Sequence, residues 1–280
     1  MNETILNGLL NLFAIFASVV RIEEKQASRA VHSYLSSHFG VRSHKEYIEL
    51  YTELRSMYDD SLFPINKEDV IRNICDQMKI KLRAEEQLLL LIRFVEFAHT
   101  NSDEFKNHLN LFHLVADIFS IRQEEFDETM DFVTGTSSSS SILTISEEDN
   151  ITENHIIRKG MEGSIRVWYI RRFDKLIFTY HGNGLVFMND IPLSSDMFYA
   201  WQRSSVLKGP LFLPVYYSDL LSVFYKKEEK ETIGLSGRNL DFTFKNSHNG
   251  LHNFSFNLES GQLVAIMGGS GVGKSTLLGI

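Results

Sequence analysis

Eight consecutive residues near the end of the 280-residue chain have the types and the spacing that bind phosphate groups. A tight glycine-rich loop can direct several backbone N–H groups at one phosphate, because no side chain intervenes. The eight residues fit the pattern G-x-x-x-x-G-K-[S/T] and are Gly268, Gly269, Ser270, Gly271, Val272, Gly273, Lys274 and Ser275. The alternative is a glycine-rich turn with an exposed lysine and no ligand.

Three side chains at the end of the loop complete the predicted site. Lys274 supplies an ammonium group for the β- and γ-phosphates of a nucleotide. Ser275 supplies a hydroxyl for Mg²⁺, which prefers oxygen ligands, and Thr276 supplies a second hydroxyl near the α-phosphate. A helix predicted to begin near Lys274 adds unpaired N–H groups and the positive end of its dipole.

The elements that must position this loop are readable just before it. Residues 263–267 form a continuous apolar run, which predicts a buried strand leading into the loop. Residues 240–244 and 251–258 alternate apolar and polar side chains, which predicts the two strands of a hairpin. The predicted order is therefore hairpin, buried strand, phosphate loop and helix.

This order resembles the start of an ABC transporter nucleotide-binding domain, and the resemblance covers residues 234–280. In that family an aromatic side chain after the first strand stacks on adenine, and Phe244 stands at the matching position. The more usual tyrosine is replaced by phenylalanine, which keeps the flat π-face. The resemblance thus implies ATP and Mg²⁺ as ligands, and it carries the adenine-binding role of Phe244.

The resemblance further implies that the intact protein hydrolyses ATP and drives transport. Its implied partners are a second nucleotide-binding domain and a transmembrane transporter domain, which would place this part at the cytoplasmic face of a membrane. The family's catalytic glutamate, signature motif and switch histidine come later than Ile280, so we expect no catalytic residue and no hydrolysis within these 280 residues. The alternatives are an interaction module with a vestigial nucleotide-binding portion, and a P-loop kinase or GTPase.

Residues 1–133 are predicted to form an all-helical domain, because they contain few glycines or prolines and have apolar residues at helical spacing. Residues 39–42 (Phe-Gly-Val-Arg) echo residues 119–122 (Phe-Ser-Ile-Arg), each after an apolar helix, an acidic turn and a second helix. On this repeat the region resembles a TerB-type helical domain. The aspartate-rich turn of that family is absent, so we carry over no metal site.

Residues 134–150 are rich in serine and acidic residues and predict a linker. Residues 151–229 carry short alternating runs with turns between them, which predicts a small β-sandwich or roll. One predicted hairpin joins residues 176–180 to 185–188 through the turn 181–184. The order of features is similar to a forkhead-associated (FHA) domain, with a structural role favoured over phosphopeptide binding. The predicted fold class is thus a multidomain α + β protein that ends in the first piece of an α/β P-loop NTPase core.

Charge and cysteine content exclude some other classes. The net charge of −8 lies in residues 1–133, which hold 14 Lys/Arg against 22 Asp/Glu, while residues 134–280 hold 14 of each. A general nucleic-acid partner is not expected, because binding a phosphate backbone needs a basic face. Cys75 is the only cysteine, so an internal disulfide or a cysteine-based zinc site is excluded. The apolar run 5–20 is short for a membrane span and predicts an amphipathic helix.

Overall fold

A computed structural model describes residues 3–38, 44–60, 66–136, 139–148, 154–195, 197–225, 233–245 and 248–279. The chain divides into two compact units, Met1–Tyr225 and Lys226–Ile280, and each is considered by itself. Within the described ranges, no helix is both long and apolar enough to cross a membrane.

The first part of unit Met1–Tyr225 is helical, as the scarcity of glycine and proline predicts. Its α-helices are α1 (Glu3–Val19), α2 (Glu24–His38), α3 (His44–Asp59), α4 (Lys67–Lys81), α5 (Ala84–Asn101), α6 (Leu109–Ile118) and α7 (Gln123–Thr134). A 3₁₀ helix, Asp103–His108, joins α5 to α6. The Asn66 side chain accepts hydrogen bonds from the N–H groups of Glu68 and Asp69, and this N-cap explains where α4 begins.

Helix α1 lies at the centre of the helical part rather than on its surface. The ring of Phe16 in α1 stacks on the ring of Phe112 in α6, with centroids 4.8 Å apart. The ring of Phe13 packs edge-to-face against Phe94 of α5. A polar side chain of this helix also bonds within the helical part, since Asn11 Oδ1 accepts a hydrogen bond from the Tyr58 hydroxyl at 2.9 Å. Packed aromatic side chains therefore hold the helices together around α1.

The predicted repeat has a partial counterpart in the packing. Helix α1 packs on α3, and α5 packs on α7 in the equivalent position of the second half. In the second copy, α6 ends at Ile118 with Phe119 as its C-cap, and Ser120 adopts a left-handed conformation with φ +56°. Residues 39–42, the first copy of the repeated motif, lie outside the described residues. The TerB-type resemblance stays a prediction.

The second part of unit Met1–Tyr225 is mostly β-structure. Its strands are β1 (Ile142–Ser146), β2 (His155–Ile157), β3 (Ser164–Ile170), β4 (Lys175–His181), β5 (Phe187–Met188), β6 (Ile191–Pro192), β7 (Phe198–Trp201), β8 (Val206–Lys208) and β9 (Val215–Tyr216), followed by helix α8 (Tyr217–Phe224). They form one sheet in the order β2-β1-β3-β4-β7 and a second in the order β6-β5-β8-β9. β1 and β2 are parallel, and the other pairs are antiparallel.

Two local predictions differ from this topology. The range predicted as a linker includes β1, because Ile142, Leu143 and Ile145 bury their apolar side chains inside the first sheet. The predicted hairpin through residues 181–184 does not form: β4 pairs with β3 and β7, whereas β5 pairs with β6 and β8 of the second sheet. Residues 181–184 therefore connect the first sheet to the second. The FHA-type resemblance stays a prediction.

The helical and β parts of this unit share a hydrophobic cluster. Trp168 and Ile177 of the first sheet pack with Leu88 and Ile92 of α5 and with Phe132 of α7. The Trp168 indole N–H also donates to Glu128 Oε2 at 3.1 Å. The two parts are therefore joined by buried contacts and not by the connecting segment alone.

Unit Lys226–Ile280 contains an antiparallel hairpin of β10 (Gly234–Thr243) and β11 (Gly250–Glu259), and helix α9 (Lys274–Gly279). The hairpin agrees with the sequence prediction. The prediction of a buried strand at residues 263–267 is wrong. The segment does not pair as a strand, and Met267 is 86% exposed. A parallel strand needs paired neighbours and covered faces, and the described residues of this unit provide neither for this segment.

Candidate functional site

The predicted phosphate loop forms a turn that runs directly into α9. The helix begins at Lys274, and the N–H of Leu277 donates to the Gly273 carbonyl at 2.9 Å, which closes its first turn. The predicted helix after the loop is therefore confirmed. The first N–H groups of a helix have no acceptor within the helix itself.

Three glycines give the loop its shape. Gly268, Gly271 and Gly273 have φ angles of +154°, +80° and +95°, which side chains of L-residues disfavour. A Cβ on Gly268 would come within 2.8 Å of the Val272 side chain, whereas Gly269 and Gly271 have open space where a Cβ would stand. The loop thus combines backbone conformations that need glycine with an unobstructed inner side.

The Lys274 side chain folds back into the loop. Its ammonium donates to the carbonyl oxygens of Gly268 at 2.8 Å and Gly269 at 2.6 Å. These contacts hold a positive charge beside the backbone of the loop, where a phosphate would need it. The structure therefore brings Lys274 and the glycines together as the sequence predicts.

A cavity of about 760 Å³ lies over the loop and the hairpin turn. It is lined by these residues predicted for the site: Phe244, Ser270, Gly271, Val272, Gly273, Lys274, Ser275 and Thr276. Gly268 and Gly269 do not line it, and they serve instead as acceptors for Lys274. One concave surface therefore joins the aromatic position to the phosphate loop across 30 residues of sequence.

Phe244 is held at the end of β10 with its ring accessible. Its N–H donates to the Asn249 carbonyl at 3.0 Å, which closes the hairpin turn, and its ring packs edge-to-face on Phe242. The side chain is 49% exposed. A half-exposed ring with one supported edge suits stacking on a flat heterocycle.

Sequence reasoning missed four residues of the cavity wall, all from the hairpin turn and the start of β11. These are His248, Asn249, Gly250 and His252. The His252 ring lies 3.3 Å from the His248 carbonyl oxygen and 3.6 Å from a carboxylate oxygen of Asp241. Two histidines four positions apart beside Phe244 were the available signal, but only the hairpin pairing shows that they face the loop.

The donor set also fits the predicted magnesium ion. Ser275 contributes a hydroxyl to the cavity, and Thr276 lies next to it. In the described part of the chain no group of three or more His, Cys, Asp or Glu side chains could hold a metal ion by itself. A cation bound here would therefore take Ser275, water and the phosphates of the nucleotide as ligands, which is common for Mg²⁺.

Residues 251–280 match the family described as ABC transporter. The β-(1→2)glucan export ATP-binding/permease proteins NdvA of Rhizobium johnstonii and Rhizobium etli are each 51% identical over 43 residues, or 15% of this chain and 7% of theirs. The glutathione/L-cysteine transport system ATP-binding/permease protein CydD of Bacillus subtilis is 44% identical over 50 residues, or 18% of this chain and 9% of its own.

The chain thus spans less than a tenth of the length of these curated relatives. No solved structure matches the chain. The family match covers β11 from Leu251 onward, the segment before the loop, the loop and α9, so it contains the loop side of the cavity but not Phe244. The C-terminal segment of this chain is therefore similar in sequence to the ATP-binding part of ABC transporters.

Proposed function

We propose that residues 234–280 bind ATP with Mg²⁺ as the first part of an ABC-type nucleotide-binding domain, and that the intact protein hydrolyses ATP to drive transport. The observation that carries the proposal is that one cavity is lined by Phe244, by residues 270–273 of the glycine loop, and by Lys274. A structural turn has no need of an accessible ring and an ammonium on one surface.

Each side chain has a defined task in this proposal. Lys274 leaves the Gly268 and Gly269 carbonyls and contacts the β- and γ-phosphates, while the N–H groups of the loop donate to phosphate oxygens. Ser275 ligates Mg²⁺, which neutralises phosphate charge when bound, and Thr276 contacts the α-phosphate. Phe244 stacks on adenine.

Transport needs partners beyond this chain. We propose a second nucleotide-binding domain, which would close over the exposed side of the loop, and a transmembrane transporter domain in the same or another chain. The matched relatives are named as ATP-binding/permease proteins, which supports such an arrangement at the cytoplasmic face of a membrane. Residues 1–225 would then sense or recruit a partner and bias the ATP cycle.

Nucleotide binding is tested by titrating radiolabelled ATP with Mg²⁺ into the chain and into the variant Lys274→Ala. We expect weak saturable binding that falls at least about tenfold in the variant, because charge-assisted contacts to phosphate are lost. Lys159→Ala, an exposed lysine of unit Met1–Tyr225, is the control and should bind like the wild type. Equal binding by Lys274→Ala, or a preference for GTP, would refute the assignment.

The aromatic position has its own test. Phe244→Ala should weaken ATP binding about fivefold to tenfold, since stacking on one base contributes about 1–3 kcal/mol. Phe244→Tyr keeps the π-face and should bind like the wild type. We also expect no ATP hydrolysis by the 280 residues, and magnesium-dependent phosphate release abolished by Lys274→Ala would contradict that expectation.

A further inference from the structure

A second cavity, of about 360 Å³, lies within unit Met1–Tyr225 where α5, α7 and the first sheet meet. Most of its lining residues are of polar type, and they include Arg166, two histidines and several residues that carry hydroxyl groups. It contains none of the residues of the phosphate loop. It is therefore a separate feature of the protein that the proposed nucleotide site does not explain.

The strand register brings four of these polar side chains to one place. In the antiparallel pair β3–β4, Arg166 lies opposite Thr179, and Ser164 lies opposite His181. Side chains two residues apart share a face, so these four form a polar square on one side of the sheet. The next pair on that face is Trp168 with Ile177, which is buried against α5 and α7.

Arg166 brings a positive charge that no carboxylate balances. One of its guanidinium nitrogens donates to the Phe132 carbonyl of α7 at 2.9 Å, and no described carboxylate lies within ion-pair distance. Burial lowers the pKa of Arg166 from its ordinary value, because the charged form loses hydration. An anion in the cavity would stabilise this charge and accept hydrogen bonds from the other nitrogens of the guanidinium.

The one carboxylate in the wall already has partners. Glu96 accepts from the Arg93 guanidinium at 2.7 Å through one oxygen and from the Phe198 N–H at 3.1 Å through the other. This pair is neutral as a whole, so Arg166 sets the charge of the cavity. The positive potential also reaches His99, whose pKa is lowered mainly by burial and then by the charges of Lys106 and Arg166.

The helical side adds donors and an apolar wall. His99 of α5 and Thr134 of α7 face the same cavity, and Phe132 and Val133 supply apolar surface. Gly135, with φ +84°, ends α7, and a Cβ there would come within 2.8 Å of an Arg166 guanidinium nitrogen. Glycine at this position therefore leaves room for the guanidinium beside the cavity.

We propose that this cavity binds a small phosphate ester, with Arg166 as the main anchor of the phosphate group. A guanidinium, two imidazoles and the hydroxyls of Ser164 and Thr179 offer more donors than the two oxygens of a carboxylate accept, and they suit the three terminal oxygens of a phosphate. The volume exceeds that of a phosphate alone, so the apolar wall at Phe132 and Val133 takes the rest of the molecule.

The proposal is tested by calorimetric titration of glycerol 3-phosphate and inorganic phosphate into the chain carrying Lys274→Ala, which disables the predicted nucleotide loop. We expect saturable binding that weakens at least tenfold on adding Arg166→Gln and returns in part with Arg166→Lys. Arg171→Gln changes an exposed arginine outside the cavity and should leave the affinity unchanged. If Lys274→Ala alone removed all phosphate binding, this proposal would be overturned, whereas the proposal for the nucleotide site would still stand.

Arg166 also donates to the Phe132 carbonyl near the end of α7, so Arg166→Gln would lower the stability of the fold as well as the affinity. The double variant Ser164→Ala/Thr179→Val removes the two strand hydroxyls and keeps the contact between Arg166 and Phe132, and we expect its affinity to fall threefold to tenfold. Unchanged affinity in that variant, or malonate binding as tightly as glycerol 3-phosphate, would overturn the phosphate assignment.

Discussion

Large apolar side chains are buried in much of residues 3–225, whereas several of them are exposed in residues 233–279. In the first range Phe16, Phe112 and Trp168 are fully buried. In the second, Leu263 is fully exposed and Met267 is nearly so, although both belong to a run as apolar as any core strand. Burial in the first range comes from helices and strands distant in sequence, and residues 263–267 have no such partners among the described residues.

The phosphate loop nevertheless has its shape within the second range. Its φ angles, the Lys274 contacts and the start of α9 depend on residues fewer than seven positions apart. A binding motif of this kind is thus specified by local backbone chemistry, whereas a core is specified by contacts across the chain. The comparison can be tested by placing the same change in both ranges.

The largest expected effect is on the aromatic core. Phe112→Ala should lower the free energy of unfolding by about 3–5 kcal/mol, because it removes a buried ring that stacks on Phe16 and leaves a cavity. The measurement is urea denaturation followed by circular dichroism. Leu263→Ala, at an exposed position, should change it by less than about 0.5 kcal/mol. Equal effects of the two variants would show that residues 263–267 are buried in solution.

The second-largest difference is expected in the reactivity of a thiol at Cys75 and of one placed at position 263. Burial, and then the neighbouring charge of Asp76, raises the pKa of Cys75 to about 12. Iodoacetamide at pH 8 should therefore modify Cys75 at least about a hundredfold more slowly than an unfolded thiol, since the thiolate is the reactive form. In Leu263→Cys the new thiol should react at the ordinary rate, as mass spectrometry would show; equal rates at both positions would contradict the comparison.

The same thiol has a consequence for stability. Because its pKa is higher in the folded chain than in the unfolded one, its contribution is fully present below the unfolded pKa of about 9 and is lost as the pH rises toward 12. The free energy of unfolding should therefore fall above about pH 9. The variant Cys75→Ala should reduce that dependence.

The smallest effect is expected at a helix cap. Asn66→Ala removes the acceptor for two N–H groups of α4 and should cost about 1 kcal/mol in the free energy of unfolding. Asn66→Asp keeps an acceptor and should cost less. The same change at Asn253 in β11 should leave the unfolding transition of residues 3–225 unchanged, and a comparable loss there would show that the two ranges unfold together.

Much of the architecture was predictable from local patterns. The helices of residues 3–134, the cap at Asn66, the β10–β11 hairpin and the helix at Lys274 all follow signals within a few residues of themselves. Strand pairing was less predictable. Residues 181–184 have the composition of a hairpin turn, yet β4 takes β7 as its neighbour and β5 joins another sheet. Turn residues favour a bend but do not choose the strand that follows, which depends on how both sheets bury their faces.

The sequence by itself determined the shape of the glycine loop and the position of Lys274 in it, because the backbone angles of glycine and the hydrogen bonds of Lys274 depend on residues close in sequence. Only the tertiary structure decided that His248 and His252 share the cavity with that loop. Only the tertiary structure, likewise, set Arg166, His99 and His181 around a second cavity. Such clusters join residues far apart in sequence through strand register and helix packing, and no local pattern encodes those contacts.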